Sequence, residues 1–275
     1  MKYGFIGYGN MGSIIVRTLL KDGSLDQSDI MVYNRTAERL EPLLRSHPGV
    51  VMPSTPSEVA RSCDVLFLCV RSNAVHGIME GIEGSLPSSA HLVTINGGVR
   101  LGNLEKMFPG AVSKVIPSMT MEAGRGVTLV CHNDGVSHEQ RRSLTGLFAL
   151  SSLVREVEED QFEAASDLTS CAPGLLAEMM LKFAEGGARA GLLSKEAALE
   201  MVLETMMGTA ILLTDLGVDP EELKSRVATK GGITEQGLKV LDRELPRVYD
   251  QVFGATLGKH AEVKKAITDD FDRGC

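Results

Sequence analysis

Up to Glu158, the chain alternates short apolar runs with stretches in which apolar residues recur at helical spacing. The run Val65–Val70 is uninterrupted, as is typical of a parallel strand that is covered on both faces. We predict strands at Tyr3–Ile6, Ile30–Tyr33, Val65–Val70, Leu92–Ile95, Ala111–Ile116, Val127–Cys131 and Leu153–Val157. Helices are predicted from Met11 onward, at Ala37–Leu44 and at Ser137–Phe148.

After Glu158, the sequence predicts helices alone, including long ones at Ala172–Ala190 and Lys195–Leu216. Strands that alternate with helices predict a parallel sheet. We therefore predict an α/β fold, with a Rossmann-type doubly wound sheet followed by an all-helical dimerisation domain. The predicted domains are a dinucleotide-binding domain over 1–158 and a helical dimerisation and substrate domain over 159–275.

The predicted helix Lys195–Leu216 has an apolar face that a small helical domain cannot easily bury. This face comprises Ala197, Ala198, Met201, Val202, Thr205, Met206, Thr209, Ala210 and Leu213. A broad exposed apolar surface marks an interface, so we expect a dimer to form here. The alternative is an ordinary core within one chain.

A G-x-G-x-x-G motif, typical of dinucleotide-binding sites, follows the first predicted strand. Gly7 allows a tight turn, Gly9 allows a pyrophosphate to approach the backbone, and Gly12 allows the helix to pack close to the strand. Asn10 and Met11 begin the helix, whose unpaired amides would face the phosphates. The alternative is a glycine-rich turn that binds no ligand.

The second predicted strand ends in Asn34-Arg35-Thr36. In NAD-binding sheets, an acidic residue at this position usually accepts hydrogen bonds from the ribose hydroxyls. Asn34 is uncharged and Arg35 is cationic, which favours a 2′-phosphate, and hence NADP over NAD. Alternatively, Asn34 and Thr36 only form a turn and cap the helix that follows.

The ends of two further strands are candidates for the nicotinamide end of the site. Val70-Arg71 and Asn96-Gly97 follow predicted parallel strands, and cofactors bind at the carboxyl ends of such strands. Ordinary turns would explain the glycine there equally well.

A second glycine turn, Thr229-Lys230-Gly231-Gly232-Ile233-Thr234, leads into a predicted helix that begins near Thr234 or Glu235. Unpaired amides at a helix start bind a small carboxylate well, and the Thr234 hydroxyl could donate a hydrogen bond to a substrate atom. In the alternative interpretation, Thr234 only caps the helix.

Composition excludes several classes of partner. The formal net charge of −8 argues against nucleic acid and anionic membranes, which attract basic surfaces. No apolar run reaches the roughly 18 residues of a membrane span, and the apolar start is a strand, not a signal peptide. The six histidines have no metal-ligand spacing, so we expect no metal site. Scattered cysteines without a C-x-x-C pair predict a reduced, cytoplasmic protein: Cys63, Cys69, Cys131, Cys171 and Cys275.

Taken in order, these motifs resemble those of the pyrroline-5-carboxylate reductases, over about residues 1 to 250. The matching pieces are Gly4-Phe5-Ile6-Gly7, Gly9-Asn10-Met11, Asn34-Arg35-Thr36, Asp64-Val65 through Val70, Gly98-Val99, Gly124, Gly126-Val127-Thr128, Pro173, Ala190-Gly191-Leu192, Gly231-Gly232 and Thr234.

The resemblance implies an NAD(P)H-dependent enzyme of proline biosynthesis that reduces a small cyclic imine, 1-pyrroline-5-carboxylate. It implies that Thr234 reaches the imine nitrogen, and that Thr229, Gly231, Gly232 and Ile233 form the turn that holds the substrate carboxylate. It also implies a homodimer, or a larger ring of dimers, with the site completed across the dimer.

This chain departs from the family pattern around the substrate. Arg71-Ser72 replaces a usual Lys-Pro, Lys230 replaces a proline, and Glu235 follows Thr234 directly. Further departures are Asn96-Gly97-Gly98 for Ala-Ala-Gly, Ile116-Pro117-Ser118-Met119-Thr120 for Met-Pro-Asn-Thr-Pro, and Thr169-Ser170-Cys171-Ala172-Pro173 for Ser-Gly-Ser-Gly-Pro. The pattern also resembles a divergent branch among late-competence proteins. Two alternatives therefore stay open: a non-catalytic or regulatory NADP-binding paralogue, and a reductase of a different small imine.

Overall fold

The computed structural model describes residues 1–273, within which seven strands form one sheet. The strands are β1 (Tyr3–Ile6), β2 (Ile30–Tyr33), β3 (Val65–Leu68), β4 (His91–Thr94), β5 (Ala111–Pro117), β6 (Val127–His132) and β7 (Leu153–Glu156). All seven predicted strands are confirmed. The prediction for β3 was too long, because its neighbours β1 and β4 end opposite Leu68 and leave Val70 without a strand partner.

The order of strands in the sheet is β2-β1-β3-β4-β5-β6-β7. Every neighbouring pair is parallel except β5 and β6, which are antiparallel. β1 lies between β2 and β3, so the chain passes to one side of β1 to form β2 and to the other side to form β3. A crevice opens at the carboxyl ends of strands where the direction changes in this way. Ligands of doubly wound sheets bind at such a crevice.

Helices connect the strands and cover both faces of the sheet. They are α1 (Asn10–Lys21), α2 (Glu41–Ser46), α3 (Pro56–Ser62), α4 (Val75–Gly81), α5 (Leu101–Glu105) and α6 (His138–Phe148). The predicted helix Ala37–Leu44 was wrong in detail, since a 3₁₀ turn at Ala37–Leu40 precedes α2. Pro42 lacks an amide hydrogen and favours the first turn of a new helix.

Buried apolar side chains lie on both faces of the sheet, as predicted for parallel strands. Phe5 of β1 stacks on Phe67 of β3 with ring centroids 4.8 Å apart, on the face that α1 covers. Cys63, Cys69 and Cys131 are buried within these layers and fill part of the core, whereas Cys171 is exposed. Cys275 lies outside the described residues.

The remainder of the described chain is helical, as predicted. It comprises α7 (Phe162–Ser166), a π-helical turn (Asp167–Cys171), α8 (Ala172–Gly191), α9 (Lys195–Thr214), α10 (Pro220–Val227) and α11 (Ile233–Arg273). The chain divides into two compact units, one of Met1–Pro173 with the segment from Thr256 onward and one of Gly174–Ala255. The predicted boundary between 158 and 159 stays a prediction.

The segment of α11 after Thr256 belongs to the unit that contains the sheet. Ile267 and Phe271 are buried in the core beneath α4, where Phe271 meets the edge of the His76 ring at 5.0 Å. A Cβ at Gly98 would lie 2.8 Å from the Ile267 side chain, so glycine permits this close packing. The last helix therefore forms part of the core that supports the sheet.

In the second unit, α9 leaves most of its apolar side chains exposed. Ala198 packs with Ala184 and Ala188 of α8 in a small cluster, whereas Met201 and Met207 remain largely in solvent. By length and composition alone, α9 is apolar enough to cross a membrane, although Glu200 and Glu204 interrupt its apolar residues. An interface with a second chain would bury the same surface.

Candidate functional site

A cleft of about 540 Å³ opens at the carboxyl ends of β1, β2 and β3. It is built from the glycine turn after β1, the segment after β2 and the segment after β3. The structure thus brings together predicted cofactor residues from three separate motifs: Gly7, Gly9, Asn34, Arg35, Thr36, Val70 and Arg71.

The glycines of the first motif have the geometric roles that the sequence predicts. Gly7 has a φ of +105°, and a Cβ there would lie 2.5 Å from the Cys69 carbonyl oxygen. A Cβ at Gly12 would lie 2.4 Å from the Gly7 carbonyl oxygen, so α1 could not pack as closely on the turn. Space around Gly9 is open, which allows a ligand to approach its backbone.

The first turn of α1 supplies the other two predicted residues at this point. Asn10 is exposed and begins α1, and Met11 is half-buried and packs against the core. The N-cap residue is Gly9, which has no side chain to accept hydrogen bonds from the free amides at the start of α1. These amides therefore remain accessible to an anion.

Asn34 fixes the segment that follows β2. Its Oδ1 accepts a hydrogen bond from the Tyr8 amide at 2.9 Å, and its Nδ2 donates to the Thr36 carbonyl at 2.8 Å. Asn34 therefore links this segment to the glycine turn and forms the predicted turn. Thr36 is the N-cap residue of the 3₁₀ turn that follows, but its side chain makes no capping hydrogen bond, so the alternative in which it only caps that turn gains no support.

The charge of the cleft is positive. Arg35, Arg39 and Arg71 line it, and no aspartate or glutamate does. None of these arginines has an ion pair with another described residue. Such a surface attracts phosphate groups, because guanidinium binds phosphate oxygens in pairs. Arg39 was not among the residues predicted from the sequence, although its spacing of four residues from Arg35 was a usable signal.

Asn96 and Gly97 lie beside this cleft and do not line it. Asn96 is buried and accepts a hydrogen bond from the Ser72 hydroxyl at 3.0 Å. Its amide nitrogen lies 3.5 Å from the Leu68 carbonyl oxygen and 3.3 Å from the Thr94 hydroxyl. Asn96 thus ties the ends of β3 and β4 together.

A buried lysine that the sequence analysis missed lies next to this turn. Lys114 of β5 is 1% exposed and places its Nζ 3.4 Å from the Gly97 carbonyl and 2.9 Å from Glu159 Oε1. The same glutamate oxygen accepts a bond from the Leu101 amide at 2.8 Å. Burial raises the pKa of Glu159, but the charge of Lys114 and these hydrogen bonds outweigh it and lower that pKa. A lysine within an apolar strand was the available signal.

The second glycine turn lies in the helical unit. The Gly232 amide donates to the Thr229 carbonyl at 2.8 Å, and Gly231 has a φ of +75°. Helix α11 begins at Ile233, which is 95% exposed. Thr234 follows in the first turn, exposed, and its hydroxyl has no hydrogen-bond partner among the described residues. The turn therefore presents a free hydroxyl and helix-start amides together.

Glu235 also contributes to this turn. Its Oε2 accepts a hydrogen bond from the Gly231 amide at 2.8 Å and lies 3.5 Å from Lys239 Nζ. The Glu235 carboxylate thus accepts the hydrogen bond of the Gly231 amide, which belongs to the turn predicted to bind the substrate carboxylate.

Outside these two sites, the structure gathers three residues that metals commonly bind. Ligand atoms of Asp167, Cys171 and His260 all lie within 4.8 Å of one another. The spacing of the histidines did not indicate this cluster, because His260 is far from the other two residues along the chain.

Comparisons with known proteins match both parts of the chain. Residues 159–263 match the family described as pyrroline-5-carboxylate reductase dimerisation, and residues 2–96 match NADP oxidoreductase, coenzyme F420-dependent. The chain is 36% identical over 259 residues to pyrroline-5-carboxylate reductase 3 of Bacillus subtilis, which covers 94% of each protein. It is 28% identical over 272 residues to ComE operon protein 4 of the same bacterium, covering 98% of this chain and 99% of that protein.

Solved structures agree with this relationship. A pyrroline-5-carboxylate reductase from Coxiella burnetii superposes with a TM-score of 0.86 at 25% identity, over 95% of this chain and 98% of the other. The Plasmodium falciparum pyrroline carboxylate reductase with NADP bound has a TM-score of 0.81 at 23% identity, over 97% of this chain and 98% of the other.

The predicted fold class is therefore confirmed: a Rossmann-type sheet followed by a helical dimerisation domain. The chain is an oxidoreductase that uses a nicotinamide cofactor and a small-molecule substrate, and its dimerisation domain makes it an oligomer. This chain belongs to the pyrroline-5-carboxylate reductase family.

Proposed function

We propose that this protein reduces 1-pyrroline-5-carboxylate to proline with NADPH. The observation that carries the proposal is the cleft at the carboxyl ends of β1 to β3, which three arginines line and no acidic residue does. A relative of 36% identity over nearly the whole chain is named as a reductase of this substrate.

The pyrophosphate of the cofactor binds at the glycine turn after β1. Gly7 and Gly12 bring the start of α1 close to the turn, and Gly9 leaves room for the phosphates. Asn10 and Met11 contribute backbone amides of the first helical turn. The positive end of the helix dipole favours the same anion.

The 2′-phosphate of NADPH binds the segment after β2. Asn34 and Thr36 set its path, and Arg35 and Arg39 supply the charge. A carboxylate that would prefer the 2′-hydroxyl of NADH is absent from the lining of this cleft. The Plasmodium falciparum pyrroline carboxylate reductase, which was solved with NADP bound, has the same fold.

The nicotinamide lies toward the ends of β3 and β4. Val70 and Arg71 are the residues of this group that line the cleft. Asn96 and Gly97 lie next to them, outside the lining. Asn96 accepts a hydrogen bond from the Ser72 hydroxyl, and the Gly97 carbonyl contacts the Lys114 amine.

The glycine turn before α11 holds the substrate. Backbone amides of this turn bind the substrate carboxylate, and its members are Thr229, Gly231, Gly232 and Ile233. The Thr234 hydroxyl donates a hydrogen bond to the imine nitrogen. Bound NADPH would supply a hydride to the imine carbon, the C=N π electrons would move to nitrogen, and that nitrogen would take a proton from water. The chain's own part is to fix the carboxylate and orient the imine.

We further propose a cytoplasmic homodimer, or a larger ring of dimers, in which the site is completed across the dimer. The exposed apolar side chains of α9 and the match to a dimerisation family support this assembly. A dinucleotide-binding domain over 1–158 and a dimerisation and substrate domain over 159–275 agree with the family match at 159–263. Neither nucleic acid nor a membrane is a partner in this proposal.

The test is to follow the loss of NADPH absorbance with purified protein and 1-pyrroline-5-carboxylate. Mixtures without substrate, and mixtures with NADH, are the controls. We expect substrate-dependent oxidation that is faster with NADPH at limiting cofactor. No oxidation by a protein that still binds NADPH would contradict the proposal.

One observation favours a second candidate function, that of an NADP-binding paralogue with another imine or a regulatory role. Glu235 bonds to the Gly231 amide and would repel a substrate carboxylate at the same turn. The similarity to ComE operon protein 4 over 98% of this chain supports the same alternative. Turnover of an imine that lacks a carboxylate, without turnover of 1-pyrroline-5-carboxylate, would favour it.

A further inference from the structure

A cluster of three potential metal ligands lies in the unit that contains the sheet, apart from the cofactor cleft. Asp167 and Cys171 are the first and last residues of the π-helical turn, and His260 comes from α11. Asp167 Oδ1 lies 3.0 Å from His260 Nε2, and the Cys171 sulfur lies within 4.8 Å of both ligand atoms. Three different ligand types therefore converge on one point.

The backbone explains why Asp167 and Cys171 share one side. Residues four apart lie on the same face of a helical turn, and this turn is π-helical, a rare form that often occurs at functional sites. Neither residue lines the cofactor cleft, although Cys171 belongs to the stretch 169–173 that departs from the family pattern around the substrate. Cys171 stands where the family pattern has serine, so the cluster includes a feature particular to this chain.

Thr256 holds the aspartate in position. It precedes His260 by one turn of α11, and its hydroxyl donates to Asp167 Oδ2 at 2.6 Å. The bond fixes the carboxylate plane and leaves Oδ1 directed toward His260. Hydrogen bonds of this kind, from an outer residue to a ligating carboxylate, orient the ligands in metal sites.

The buried carboxylate of Asp167 favours binding of a cation at the cluster. The Asp167 side chain is 0% exposed, and His260 is its one ionisable cationic partner among residues 1–273. A buried carboxylate requires a compensating charge. The Cys171 side chain adds a sulfur that becomes a strong ligand once it loses its proton.

We propose that Asp167, Cys171 and His260 bind a Zn²⁺ ion. One carboxylate oxygen, one imidazole nitrogen and one thiolate sulfur form a ligand set that Zn²⁺ accepts in tetrahedral geometry. Zinc–ligand bonds of about 2.0–2.3 Å place such ligand atoms roughly 3.3–3.8 Å apart, so the cluster needs adjustments of no more than about 1 Å. Three protein ligands leave the fourth position open to water or a small ligand.

Binding exchanges protons for the metal. Zn²⁺ displaces the thiol proton to solvent and forms the Zn–S bond, without any change in oxidation state. The ion would join the π-helical turn to the segment of α11 that packs on the sheet.

The test uses Co²⁺ as a spectroscopic probe in full-length protein stripped with a chelator. We expect one Co²⁺ per chain with a thiolate-to-cobalt charge-transfer band, and displacement of this band by Zn²⁺. Cys171→Ser, at an exposed position, should abolish the band and weaken Zn²⁺ binding at least tenfold to a hundredfold. His138→Gln, an exposed histidine at the start of α6, is the matched control and should bind as the wild type does.

A second measurement separates the site from general metal binding. Zn²⁺ should slow alkylation of Cys171 by iodoacetamide at least tenfold, measured by mass spectrometry, and His260→Gln should remove that protection. Circular dichroism confirms that each variant is folded. Absence of the charge-transfer band in the wild type, or equal Zn²⁺ affinity in Cys171→Ser, would overturn the proposal. Both readouts are independent of imine reduction.

Discussion

Glu235 is the residue whose replacement tests the substrate turn most sharply. Its Oε2 bonds to the Gly231 amide at 2.8 Å, in the turn assigned to the substrate carboxylate. A substrate carboxylate bound to neighbouring amides would lie about 4 Å from this side chain. The Glu235→Gln variant removes the charge but keeps an oxygen that accepts the same hydrogen bond.

The expected effect follows from the exposure of the turn. Two unit charges 4 Å apart repel by about 1 kcal/mol in bulk water and about 4 kcal/mol at an effective dielectric constant of 20. The turn is largely exposed, so the lower figure applies. Because 1.4 kcal/mol corresponds to tenfold, we predict that Glu235→Gln lowers KM for 1-pyrroline-5-carboxylate by about fivefold.

The assay is NADPH oxidation over a range of substrate concentrations, at low and high salt. Glu244→Gln makes the same change of charge further along α11, at about 14 Å from the turn by helical rise, and should leave KM unchanged. High salt should reduce the difference between Glu235→Gln and wild type. An unchanged or higher KM in Glu235→Gln at low salt would refute the reasoning.

Four further predictions concern other parts of the chain. Thr234→Val removes a hydroxyl at nearly constant volume, so kcat should fall roughly tenfold or more while NADPH binding by titration stays constant; unchanged kcat would remove Thr234 from the reaction. Arg35→Ala should raise Kd for NADPH roughly tenfold and change Kd for NADH little; equal losses for both cofactors would contradict binding of the 2′-phosphate. Gly12→Ala forces a Cβ to within 2.4 Å of the Gly7 carbonyl oxygen, so it should lower stability by about 1–3 kcal/mol, seen as a lower Tm; wild-type Tm would disprove the close packing. Burial, and then the charge of His132, lower the pKa of His91 from 6.5 to about 4, so stability is complete above pH 6.5 and falls by roughly 3 kcal/mol as pH drops to about 4. Urea unfolding of the wild type and of His91→Asn over this range checks it, and parallel profiles would argue against it.

The local pattern of the sequence was sufficient for the sheet and for the cofactor motif. Strands such as β2 are short apolar runs between polar segments, and a pattern of this kind depends on neighbouring residues alone. Gly7 and Gly12 were interpretable because their roles are fixed by backbone geometry within one turn. Periodicity likewise identified α9, which ends at Thr214, two residues before its predicted end at Leu216; Gly217 in the turn that follows has a φ of +65°.

What the sequence could not supply were contacts between distant segments. His260 pairs with Asp167, and Phe271 packs in the core beside the sheet. Both contacts join residues that are far apart in sequence, and periodicity depends on neighbouring residues only. The antiparallel direction of β6 depends on the path of the chain and not on its apolar pattern. Glu235 was identified from the sequence as a departure from the family pattern, but its bond to Gly231 required the geometry of the turn.

The measurement that tests the central claim most directly is transfer of deuterium from NADPH to product. The protein is incubated with 1-pyrroline-5-carboxylate and NADPH that carries deuterium at the transferred position of the nicotinamide ring, and the product is analysed by mass spectrometry. We predict proline that carries a single deuterium at the carbon of the former imine, formed in proportion to the NADPH consumed. Recovery of unchanged substrate and cofactor, from protein shown by titration to bind NADPH, would contradict the assignment.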